Sequence, residues 1–151
     1  MKTNTNRRLA AYMIYQPDEG VDFARFVERG AWLLTPEETA GLERDQTSKL
    51  REKIACLRND HPRLARQLEF LESLPGSDHV HLPDQVRNET VFALLYAVKE
   101  MDLIPDHLPG VGYQDDTAIV NAVLTRHQEC FQRVCATNAL EWAGLQPEGS
   151  S

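Results

Sequence analysis

Between Val91 and Val98 the chain reads Val-Phe-Ala-Leu-Leu-Tyr-Ala-Val, eight apolar residues in succession. No other feature constrains the fold as much. The run continues a helical pattern that spans Pro83 to about Met101, with Val86, Val91, Leu94, Leu95, Val98 and Met101 as its inner stripe. Phe92, Ala93, Tyr96 and Ala97 then make the middle apolar almost all round. A helix that is apolar on every side must be surrounded by other elements. At eight residues the run also falls well short of the roughly 20 that a membrane span needs.

The rest of the sequence supplies helices to surround it. Thr35-Pro36-Glu37-Glu38 is a capping box with proline at the first helical position, and it predicts a helix running to about Arg58 with Leu42, Leu50, Ile54 and Leu57 inward. Asp60-His61-Pro62 opens another, carrying Leu64, Leu68, Leu71 and Leu74, and Pro75-Gly76 stops it. An earlier helix is predicted over Val21 to Leu34, with Phe23, Phe26 and Val27 inward, and a shorter one over Arg7 to Tyr15. From Asp115 to about Trp142 the residues Val120, Leu124, Phe131 and Val134 predict a second central helix, with Ile119, Val123 and Cys130 beside them. Strand signals are nearly missing. The expected fold is an all-α, compact bundle of about five to six helices. Two central buried helices are joined by a connector rich in Pro, Gly and Asp. At 151 residues it is expected to form a single domain, with 1–82 and 83–145 as its two parts and 146–151 as a flexible tail.

Charge is unevenly placed. The net charge is −7, and residues 1–75 balance, so the whole excess lies in 76–151, where eleven acidic side chains face four basic ones. A chain of this sign has no net field drawing it to nucleic acid or to anionic lipid. The basic residues of the first half are interleaved with acids, the pattern of a mixed solvated surface. Cys56, Cys130 and Cys135 lack metal-ligand spacing and read as small buried hydrophobes in a reducing, cytoplasmic setting. Cys130 and Cys135 are expected on one helix, roughly 7.5 Å apart along its axis, too far to bridge easily.

The connector from Met101 to Asp116 is the most informative stretch. Pro105 and Pro109 forbid helix, Gly110 and Gly112 permit turns, and Leu103, Ile104, Leu108 and Val111 can anchor it in the core. It carries four carboxylates, Asp102, Asp106, Asp115 and Asp116. Asp115 is placed to cap the final helix, Asp116 to sit in its first turn, and Asp102 and Asp106 to form Asx turns beside the prolines. The same groups, chiefly Asp106, Asp115 and Asp116, could instead converge as oxygen ligands for Mg²⁺, Mn²⁺ or Ca²⁺.

The run Ala93-Leu-Leu-Tyr96, Asp102-Leu-Ile-Pro-Asp106, Leu108-Pro109, Gly112-Tyr113 and Asp115-Asp116 resembles the YkvA-like family of bacterial proteins, a domain of unknown function, over about residues 91–123. The family usually has proline two residues before the first motif aspartate, where this chain has Glu100. The resemblance identifies a site, Asp102, Asp106, His107, Tyr113, Asp115 and Asp116, and brings no biochemical activity with it.

Other polar groups suggest less. His127 lies on the Val120–Leu124–Phe131 stripe and reads as a satisfied core histidine. His79 and His81, with Asp78, lack further zinc ligands and read as an exposed loop. No nucleophile elbow, phosphate loop or HExxH pattern occurs, so no cofactor is expected beyond a divalent cation at the aspartates. The resulting expectation is a soluble, cytoplasmic binding or regulatory module that presents a rigid acidic connector to a basic protein partner. The alternative is a divalent-metal-binding protein or metal-dependent hydrolase using the same four aspartates.

Overall fold

A computed structural model describes Leu9 and residues 22–75, 80–103 and 113–147, apart from the side chains of 99–103 and 113–116. These residues form seven α-helices: α1 (Phe23–Ala31), α2 (Pro36–Thr39), α3 (Arg44–Asp60), α4 (Pro62–Glu72), α5 (Asp84–Leu103), α6 (Tyr113–Arg126) and α7 (Gln128–Thr137). A single 3₁₀ turn, Trp142–Gly144, follows. Among the described residues there is no strand, and no helix is long and apolar enough to cross a membrane.

α5 is the axis of the bundle. It packs against α1, α2, α3, α4 and α6, and every residue from Glu89 to Val98 is buried. This is the environment that the all-round apolar run requires. α6 also lies within the bundle, against α1, α4, α5 and α7, and buries Ile119, Val120, Val123 and Leu124. α1 and α5 approach closely at Gly30. Gly30 is buried against the Phe92 ring, and a Cβ there would overlap that ring. Around this contact Phe26 meets both Phe92 and Tyr96 edge-on, at ring-centroid distances of 5.8 and 6.1 Å. Edge-to-face pairs of this kind add to the area they bury.

α3 and α4 form an amphipathic hairpin over one side of α5. The inner stripe runs as expected: Leu50, Ile54, Leu57, Leu64, Leu68, Leu71 and Leu74 are all buried. Lys53 is buried too, and its Nζ donates to the Ala97 carbonyl at 2.9 Å. Further along, Gln67 donates to the Leu145 carbonyl and Arg63 to the Gln146 carbonyl, which pins the segment after the 3₁₀ turn onto α4.

The structure corrects three expectations. The capping box at Thr35 forms, with Thr35 N–H donating to Glu38 and Glu38 N–H to Thr35 Oγ1. Yet α2 lasts only four residues, because Gly41 takes φ +128° and α3 starts afresh beyond Glu43, whose N–H donates to Gln46. The predicted final helix is likewise divided, with His127 (φ −119°, ψ 33°) between α6 and α7. These two breaks account for the excess over five to six helices. α7 ends in a Schellman motif: Leu140 N–H donates to the Cys135 carbonyl at 2.8 Å, and Ala139 takes φ 57° where glycine is usual. The third correction concerns Cys56, expected buried but exposed. Cys130 and Cys135 share α7 as expected, and all three thiols are free. The helix predicted over Arg7 to Tyr15 lies outside the described residues, Leu9 excepted, as do residues 148–151 of the tail expected over 146–151.

Candidate functional site

Six residues were expected to form the site. Asp106 and His107 lie outside the described residues. Asp102 falls in the last turn of α5, and Tyr113 is the first residue of α6. Asp115 and Asp116 are therefore the third and fourth residues of that helix. This corrects the expected cap: with α6 starting at Tyr113, Asp115 lies within the first turn, where its charge still complements the helix dipole. The side chains of these four are outside the described set, so the predicted grouping of carboxylates rests on sequence alone. Among the described residues no group of three or more His, Cys, Asp or Glu side chains could hold a metal ion. His79 is outside the described residues, while His81 is exposed just before α5, as expected of a polar loop.

The structure assembles a different polar cluster, invisible to sequence reasoning. Glu89 sits on α5 at the start of its buried stretch, with 0% of its surface exposed. Arg126, the last residue of α6, meets it in two parallel hydrogen bonds: Nε to Oε1 at 2.9 Å and Nη2 to Oε2 at 3.0 Å. His127 Nε2 lies 3.0 Å from Oε1, and Gln85, one turn earlier on α5, donates to Oε2. Arg126 also approaches Glu28 of α1 at 3.9 Å. A single carboxylate thus ties α5 to the junction of α6 and α7.

The electrostatics follow from this geometry. Burial alone would raise the Glu89 carboxyl, but hydrogen bonds from His127, Arg126 and Gln85 outweigh it and hold the group at about 2. The carboxylate is therefore ionised at neutral pH and can only accept, so His127 Nε2 carries the proton and donates. The same pairing raises Arg126 above its ordinary value. His127 is thus a satisfied histidine, as its place on the stripe suggested, and its ring also meets Phe131 edge-on at 6.5 Å. Its partner is 38 residues away in sequence, and no local pattern announces it. Burial raises the Cys130 and Cys135 thiols, which leaves them poor nucleophiles.

Comparison with known families places the match on this part of the chain. Residues 89–122 match a family described as a protein of unknown function, DUF1232. The matched stretch begins at the buried carboxylate, runs along α5 and through the acidic segment, and ends on α6. No curated protein and no solved structure matches the chain.

Proposed function

We propose that this chain is a soluble, cytoplasmic binding or regulatory module of the YkvA-like type. Its acidic stretch from Asp102 to Asp116, which runs from the last turn of α5 to the first turn of α6, is the recognition element for a basic protein partner. One observation carries the reading: both ends of that segment are rooted in the two helices with the most neighbours in the bundle. Helices fixed in the bundle set the distance between the two ends of the stretch, and preorganisation favours recognition. The family match supports it by spanning the same unit of helix, segment and helix. The free, raised thiols of α7 are compatible with a reducing compartment.

The test is a photo-crosslinking residue at Tyr113 in the full chain, with and without Asp102→Asn, Asp106→Asn, Asp115→Asn and Asp116→Asn together. The expected outcome is a crosslink to a basic protein that the four substitutions abolish. A crosslink indifferent to the charges would sink the reading. Thermal unfolding with Mg²⁺, Mn²⁺ or Ca²⁺ separates the rival use of the same carboxylates. A rise in midpoint lost in Asp106→Asn would mark a cation site instead, since a ligand at a hundredfold excess over its Kd stabilises by about 2.7 kcal/mol.

A further inference from the structure

Between α4, α6 and the 3₁₀ turn lies a cleft of about 370 Å³, the size of a small-molecule site. Helical spacing sets its polar side chains in pairs: Arg63 and Gln67 are one turn apart on α4, and Thr117 and Asn121 one turn apart on α6. Gly144 of the 3₁₀ turn closes one side, and Asp60 and Arg66, both exposed, stand at the rim.

Gln67 is the unusual member. It is only 1% exposed, and its orientation is fixed: the Leu145 carbonyl can only accept, so Nε2 is the atom that faces it at 3.0 Å. The other Nε2 hydrogen reaches Asn121 Oδ1 in a long contact of 3.5 Å. Both donors of the Gln67 amide are then used, while its Oε1 meets no donor among the described residues. The same contact leaves Asn121 Nδ2 without a described acceptor. A buried acceptor with no donor is costly and rare in folded proteins. Here it lines a cleft beside an unused donor from the facing helix, so the floor offers one acceptor and one donor together.

That pair is complementary to a group carrying one donor and one acceptor on a single carbon, which is a carboxamide. The rim is complementary to the remainder of an amino acid, Arg66 to a carboxylate and Asp60 to an ammonium group. Neither of these side chains pairs with a described residue, whereas Arg63 is occupied by the Ala143 and Gln146 carbonyls. Opposite charges at one rim favour a zwitterion over an ion of either sign.

We propose that this cleft binds a free amino acid with a carboxamide side chain, glutamine or asparagine. The side-chain amide donates to Gln67 Oε1 and accepts from Asn121 Nδ2, and the two backbone charges meet Arg66 and Asp60. The site uses none of the aspartates from Asp102 to Asp116 and does not rest on the reading given for them.

The experiment follows the side-chain amide NMR signals of Gln67 and Asn121 in the isotope-labelled full chain. L-glutamine, L-asparagine, L-glutamate and L-aspartate are titrated at matched ionic strength. The expected result is a saturable shift of both signals with glutamine or asparagine. The corresponding acid should bind about tenfold or more weakly, because its carboxylate has no proton to give Gln67 Oε1. Asn121→Asp keeps an acceptor for Gln67 Nε2 and removes the donor, so it should weaken binding about tenfold. Gly144→Leu should abolish binding and keep the thermal midpoint of the parent, since a Cβ there meets nothing closer than Arg66 Nη1 at 3.8 Å. Arg66→Gln should weaken binding, again with the midpoint unchanged. No saturable shift with either amide, equal binding of acid and amide, or binding that survives both Asn121→Asp and Gly144→Leu would overturn the proposal.

Discussion

Among the described residues arginine and glutamate pair across helices on the α3–α4 hairpin and around Arg126, and the two places teach opposite lessons about the same chemistry. On the α3–α4 hairpin Arg51 meets Glu72 at 3.2 Å and Arg58 meets Glu69, the latter pair with both side chains more than half exposed. Between α5 and α6 Arg126 meets Glu89 in a two-pronged contact, with the carboxylate wholly buried. Two unit charges 4 Å apart attract by about 1 kcal/mol in water and about 4 kcal/mol at an effective dielectric near 20. The surface pairs exchange bonds to water for bonds to each other and decorate an interface already held by leucines. The buried pair holds nothing cheaply, since a carboxylate taken out of water needs every partner it has. What it gives is register: α6 and α7 can meet α5 in the arrangement that brings Arg126 and His127 to one carboxylate.

The largest test of that contrast is Glu89→Ala. It leaves Arg126 and His127 facing a buried gap, and unfolding in urea should show a loss of about 3–5 kcal/mol. Joining it to Arg126→Leu should recover part of the loss, because the penalty is the unpaired charge as much as the missing bonds. A loss under about 1 kcal/mol would place the buried pair in the same class as the surface ones.

Acid sharpens the same point without a mutation. The Glu89 carboxyl is held at about 2, below its ordinary 4.5. Its contribution is therefore complete above about pH 4.5 and is lost as the pH falls toward 2. Between pH 5 and pH 3 the parent should lose more stability than Glu89→Gln, by a few kcal/mol at most. Parallel loss in the two would show that other carboxylates govern acid unfolding.

Packing offers an apolar counterpart on the same helix. Gly30→Ala pushes a methyl into the Phe92 ring, and Phe92 is itself fully buried and edge-packed on Phe26. The variant should be about 1–3 kcal/mol less stable, the usual cost of overpacking. Gly30→Ala combined with Phe92→Leu should restore part of it if the clash is the cause.

The contrast between the two pairs also marks what the sequence could disclose. Local signals were legible: the Thr35 capping box, Pro62 at a helix start, and the apolar run that had to become the axis. The break at Gly41 was not, because Leu42 keeps the hydrophobic period alive and a glycine inside a helical pattern is often tolerated. Nor was the break at His127, where no proline or glycine interrupts the run from Ile119 to Cys135. There the observed partner is tertiary, a carboxylate on another helix. The aspartate motif was legible as a motif, and its cap assignment failed by three residues because Tyr113 already lies in the helix. Glu89 itself is one acid two residues ahead of an apolar run. Only a neighbour far along the chain turns it from a fault into a fastening.

The smallest effect decides how far the contrast goes. A double-mutant cycle on Arg58→Ala and Glu69→Ala isolates the energy of one surface pair from whatever else each side chain does. Both groups are more than half exposed, so solvent screens their attraction and each gives up side-chain entropy to hold the pair. The coupling should be about 0.2–0.5 kcal/mol at low salt, fading toward zero in 1 M salt, where screening acts within about 3 Å. A coupling above about 1 kcal/mol that persists in salt would mean that the hairpin depends on its ion pairs as α6 depends on Glu89. Burial would then no longer be the variable that separates the two interfaces, and the leucine stripe of α3 and α4 would need a smaller share of the credit.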